Sequence, residues 1–216
     1  MPAFAAAWQP STVDDFTRAW SAIDEWLARF APRSAAAQHP PATAEAISAA
    51  ERQTGLRFPA DVVASLLRHD GQPRYCTDFP GYALLPAAGI AETWQIMVEV
   101  AEDLGEDEGD DDSDDRWWHR SWVPVSEEDG SLYVVDLRPG PGHGRLGWRP
   151  KDDIARFEEG APTFTAHLAR VATALTTGGD VDGEVPYLTE GGLLFWDYPG
   201  LETTDEGERV TRAPAG

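Results

Sequence analysis

The chain has 216 residues, 42% of them hydrophobic and nine of them tryptophan, which is enough to bury a core as one domain with an extension. Seventeen basic residues face 38 acidic ones, a formal net charge of -21. A surface that negative repels phosphate backbones and anionic lipid and attracts cationic partners, so neither nucleic acid nor a membrane surface is expected as a partner.

No run of eighteen apolar residues occurs, and the start MPAFAAAWQPS lacks the basic region and long apolar core of a signal peptide. The expected compartment is the cytoplasm. The single cysteine, Cys76, allows no internal disulfide and no cysteine-based zinc site of ordinary spacing, in keeping with a reducing compartment.

In chain order, TVDDFTRAWSAIDEWLARF places Phe16, Trp20, Ile23, Leu27 and Phe30 on one helical face, with Asp14 and Asp15 at the positive end of the helix dipole. Residues 31–41, APRSAAAQHPP, read as a linker because Pro32, Pro40 and Pro41 exclude a continuous helix. A second helix starts near Ala44 and stops at Gly55, and Pro59 opens a third that ends at Asp70 and Gly71. One short strand is expected at Tyr82 to Leu85. The next helix, IAETWQIMVEVAEDL, carries Ile90, Trp94, Met97, Ala101 and Leu104 at helical spacing and runs into GEDEGDDDSDD, residues 105–115. From Glu99 to Asp115 there are eleven carboxylates and no basic residue, and self-repulsion predicts an extended, solvated segment.

The period then changes from 3.6 to 2. Trp122, Val123 and Val125 predict a strand, SEEDGS a turn, Leu132 to Leu137 a central strand apolar on both faces, and Arg145 to Trp148 a third strand reached through RPGPGHG. Connections this short require antiparallel pairing. Helix is expected again at KDDIARFEEG and at PTFTAHLARVATALTTG, with Phe164, Leu168, Val171 and Leu175 on one face. A further hairpin is expected at Tyr187 to Tyr198, and ETTDEGERVTRAPAG reads as a polar, frayed tail. Helices, then a sheet, then helices predict an α+β fold whose central antiparallel sheet is flanked by N-terminal and C-terminal helices.

Several chemical readings fail on spacing. GPGHG is followed by a strand, whereas a phosphate loop needs a helix N-terminus there, so it reads as a hairpin connection and His143 as a turn residue. His39, His69, His119, His143 and His167 show no paired ligand spacing, and convergence of His119 and His143 on Asp136 is the weaker reading beside surface histidines. The acidic run misses the EF-hand pattern: counted from Asp110, Asp115 stands where glycine is needed and Ser121 where glutamate is needed. With no nucleophile elbow either, the expectation is no catalytic residue, no metal and no cofactor. Trp20, Trp94, Trp122 and Trp148 fall on expected core faces; Trp117 and Trp118, next to the acidic run, are either an exposed aromatic pair for a protein partner or a lid on the sheet.

PPATAEAISAAERQTGLRFPADVVASLLRHDGQ, YALLP, IAETW, WVPVSEEDGSLYVVDLRPGPGHGRLGW and FTAHLARVATAL, in that order, resemble the SUKH superfamily, which groups fungal Smi/Knr cell-wall regulators with bacterial toxin-immunity proteins. The resemblance covers about residues 40 to 177, and GRLG at Gly144 to Gly147 departs from the β-branched pair usual there. It implies an α+β domain without general catalytic apparatus that acts by binding proteins. The expected organisation is an N-terminal helix and linker (1–39), the SUKH domain with its acidic insert (40–178) and a C-terminal extension (179–216). The expected function is an immunity protein capping a basic, nucleic-acid-targeting toxin through Asp110, Asp111, Asp112, Asp114, Asp115, Trp117 and Trp118, with a constitutive scaffold or regulatory role as the alternative.

Overall fold

The computed structural model describes residues 13–73, 79–80, 83–105, 116–157 and 162–216. Four helices come first: α1 (Val13–Phe30), α2 (Pro32–Ala37), α3 (Ala44–Thr54) and α4 (Ala60–Arg68). β1 (Ala83–Leu84), α5 (Ala87–Asp103), β2 (Trp122–Glu128), β3 (Ser131–Asp136), β4 (Leu146–Arg149) and α6 (Phe164–Thr177) follow, and β5 (Val185–Thr189), β6 (Leu194–Asp197) and β7 (Val210–Arg212) end the chain.

The helix boundaries have local causes. Thr43 and Thr163 each accept a hydrogen bond from the backbone N–H three residues on, capping α3 and α6, and Gly55 and Gly178 end those helices in the left-handed conformation. Pro32 does prevent α1 from continuing, but it also opens α2, because proline suits a first helical turn; the linker expected at 31–41 therefore contains one short helix. Ser34 of α2 is buried and its hydroxyl accepts from the Leu194 N–H.

The central sheet runs β1-β2-β3-β4, all antiparallel, as the short connections require. The β2–β3 hairpin closes on Asp129 and Gly130, both at positive φ (44° and 82°), so the strands extend further into SEEDGS than the apolar residues alone suggest. Pro124 stands in an inner strand because the register shifts between Pro124 and Ser126, and a bulge removes the demand for its missing N–H. Both faces of the sheet are covered. Val123, Val125, Val135 and Leu146 pack with α1, α4 and α6, while Trp122, Leu132 and Val134 pack with Met97, Val98 and Ala101 of α5.

Two expectations are corrected here. KDDIARFEEG is not helical over its described residues 151–157: Arg156 exchanges two backbone hydrogen bonds with Trp148, so the segment satisfies the open edge of β4. Gly147 makes this possible, since a side chain there would collide with the Phe157 ring, which packs at 5.3 Å from Trp122. The tail is not frayed either. β7 pairs with β5 on the side opposite β6, Ala213 is buried, and Trp26 of α1 donates to the Pro214 carbonyl at 3.2 Å. Leu194, Trp196 and Ala213 thereby share one core with α1 and α6.

Candidate protein-binding surface

Asp110, Asp111, Asp112, Asp114 and Asp115 lie outside the described residues. The helix that leads to them is well defined. α5 starts at Ala87, whose N–H donates to Asp70 Oδ1 at 2.7 Å, and its side is held by a Gln53–Gln95 hydrogen bond and by Trp94 Nε1 donating to the Arg120 carbonyl. Ile90, Met97 and Ala101 face inward as their spacing predicts and Trp94 is half-buried, but Leu104 is the C-cap residue and stands outside the buried face. The last turn of α5 has no basic residue, although the negative end of a helix dipole favours one. Among the described residues, Glu102 is the one carboxylate of that turn in a salt bridge, with Arg120.

The two tryptophans after the acidic run part company. Trp118 is 3% exposed and meets Trp122 edge-on at 5.7 Å, so it packs among the core residues between α5 and the sheet. Trp117 is half-buried with the Arg149 guanidinium 4.2 Å from its ring centre, the geometry of a lid. Arg149 is itself buried and donates to the Gly130 carbonyl, and burial lowers its pKa to about 10, which leaves it charged at neutral pH.

The glycine-rich loop after β3 is organised by one carboxylate. Asp136, 1% exposed, accepts from the backbone and guanidinium of Arg138 and from the guanidinium of Arg145. His143 is exposed and its Nδ1 bonds the Arg138 carbonyl, while His119 Nδ1 accepts from the Ser121 N–H. The two histidines therefore do not converge on Asp136, whose oxygens the arginines occupy. No group of three potential metal ligands occurs among the described residues.

The His-Asp-Gly stretch at residues 69–71 is likewise structural. His69 donates through Nε2 to Asp24 of α1 at 3.2 Å and through Nδ1 to the His39 carbonyl at 3.1 Å, which leaves neither ring nitrogen for acid–base chemistry. The hydrogen bond to Asp24 raises its pKa against the opposing effect of burial. Burial by itself would raise the Asp24 carboxyl, but hydrogen bonds from His69 and Arg68 outweigh it and hold the pKa below its usual value. Gly71 has φ +70°, and a side chain there would collide with the backbone of Leu85 and Pro86. Glu51 serves the neighbouring loop by accepting from the Phe58 N–H at 2.9 Å.

A groove of about 300 Å³ lies between β3–β4 and α6, and no motif in the sequence pointed to it. Tyr133, Trp148 and Arg156 form one wall, and His167, Arg170 and Asp182 the other. His167 is buried and its pKa falls to about 4, chiefly through burial and then through the Arg170 charge, so it is neutral at physiological pH. Asp182 is engaged by Arg170, so the groove pairs no carboxylate with its histidine. The apolar spacing of this helix picks out Phe164, Leu168, Val171 and Leu175 but not His167, and nothing local marks a buried histidine as lining a groove.

None of the helices described is long and apolar enough to cross a membrane. No curated protein matches the chain. The family comparison does match: the model of the SMI1 / KNR4 family (SUKH-1) covers residues 41–170, from just before α3 into α6, and takes in Glu51, the 69–71 stretch and the whole four-stranded sheet. Spanning more than half of the chain, that match makes this protein a member of the SMI1 / KNR4 family (SUKH-1).

Proposed function

We propose that this protein is a non-enzymatic binding domain that caps a cationic protein partner, in the manner of an immunity protein neutralising a basic, nucleic-acid-targeting toxin. The observation that carries the reading is the concentration of charge: eleven carboxylates and no basic residue from Glu99 to Asp115, on a chain of net charge -21. Such a field speeds encounter with a basic cleft and is costly for an acidic competitor. The arrangement of polar groups supports binding over chemistry, because the half-buried Asp24–His69 pair and the network around the buried Asp136 are consumed by structural contacts.

The test is affinity purification of the tagged chain from its native cell, followed by association kinetics with the protein that co-elutes. Changing Asp110, Asp111, Asp112, Asp114 and Asp115 to Asn should slow association several-fold at low salt. The difference should shrink as the Debye length approaches roughly 8 Å near physiological ionic strength. Equal on-rates at low salt would remove the run from the binding surface. A co-eluting partner that is acidic, or a solitary chain with none, would favour the scaffold reading.

A further inference from the structure

On the outer side of α5, Ile96, Val100 and Leu104 are 51%, 36% and 61% exposed and follow one another at i, i+4 and i+8. That spacing sets them in a single row about 12 Å long, given a rise of about 1.5 Å per residue. Scattered exposed apolar residues need no explanation, but three aligned on consecutive turns of one helix form a ridge. Beside this row, on the flank away from Met97 and Ala101, helical geometry places Glu92, Glu99 and Asp103, which make no salt bridge among the described residues. The carboxylates do not serve the helix itself, since Glu99, Glu102 and Asp103 crowd its negative end, where a cation is favourable and an anion is not. α5 is also rigidly seated through Asp70, Gln53 and Arg120, so little ordering is needed before contact.

We propose that this face of α5 is the docking ridge for an amphipathic helix of the partner that presents an apolar stripe bordered by lysine or arginine. The ridge receives the stripe, the carboxylate row pairs the bordering cations, and the negative end of the α5 dipole gains the positive charge its own last turn lacks. The inference rests on the proposed cationic partner and adds to it an apolar contact that charge by itself does not supply.

A synthetic Leu/Lys peptide of about four helical turns is the probe, with a second peptide in which every leucine is serine as the charge-matched control. Binding to the full chain is measured by fluorescence anisotropy near physiological salt. The wild-type chain should bind the Leu/Lys peptide about tenfold or more tightly than the Ser/Lys control. The Ile96→Ser, Val100→Ser, Leu104→Ser triple variant should lose that difference while keeping the weak binding of the control. Glu92→Gln, Glu99→Gln, Asp103→Asn should weaken both peptides and flatten their salt dependence. If the serine triple melts early, Leu104→Ser alone, at the helix cap, should still lose part of the preference with an unchanged melting temperature. A correctly folded triple that binds the Leu/Lys peptide as wild type does overturns the ridge and leaves the charge reading standing. A wild-type chain that holds neither cationic peptide overturns both.

Discussion

The sheet β1–β4 and the sheet β5–β7 are built from strands of similar length, yet they are held by different means. In the first, β2 and β3 are apolar on both faces, and the loop leaving β3 closes over a buried carboxylate gripped by two guanidinium groups. The second turns Leu194 and Trp196 into the core that the first sheet shares, and keeps only a small cluster of Val185, Tyr187 and Val210 of its own. The difference teaches where each is vulnerable: the first at one ion network, the second wherever it leans on α1, α2 and α6. Only the first lies within the family match.

The largest expected effect follows from Asp136→Ala. It removes the carboxylate that Arg138, itself buried, shares with Arg145, and removing one partner of such a network costs about 3–5 kcal/mol. Urea unfolding measures it, and a loss below about 1 kcal/mol would mean that water reaches the loop and the first sheet has no such weak point.

Leu194→Ala sharpens the contrast from the other side. The residue is fully buried between β6 and the shared core, so the cavity left should cost roughly 3 kcal/mol. The loss should appear in one cooperative transition followed by near- and far-UV circular dichroism. A separate early transition would show that the second sheet is an independent unit after all.

A smaller change is expected with pH at the junction joining α1 to α4. The His69 pKa is raised above 6.5 in the folded chain by its hydrogen bond to Asp24, so its contribution is complete below the unfolded pKa and is lost as pH rises through the folded value. Asp24, with a lowered pKa, contributes above 3.8, its unfolded value, and loses that contribution as pH falls through the folded one. Urea midpoints should therefore drop from slightly acidic to alkaline pH in the wild type, and His69→Gln should flatten that drop. An equal slope in the variant would assign it to other groups.

The smallest effect is at the glycine-rich loop. His143→Ala should change stability by no more than about 0.5 kcal/mol, because the side chain is exposed and makes a single long hydrogen bond to the Arg138 carbonyl. Differential scanning calorimetry is sensitive enough to detect more, and a larger loss would place the histidine in the network that holds the first sheet.

Much of the first sheet and most helices were legible because their causes are local. The apolar period of α1 and α6, the left-handed glycines Gly55 and Gly178, and the Asp129–Gly130 turn act within a few residues of themselves. The candidate surface was legible only as charge. That Trp118 turns inward while Trp117 lies under Arg149 depends on where β4 and α5 leave room, and the two adjacent tryptophans carry the same local signal.

What the sequence by itself determined was the α+β class, the antiparallel pairing of β2, β3 and β4 forced by short connections, and the excess of carboxylate over cation. Only the tertiary structure decided what became of KDDIARFEEG, of the polar tail and of the outer face of α5. An open strand edge at β4 took the first and another at β5 took the second, each offering backbone hydrogen bonds that no local pattern records. The apolar row Ile96, Val100 and Leu104 stayed outside because the core on that side was already filled by Met97, Ala101 and Trp118, and how much room a core leaves is a property of the whole molecule.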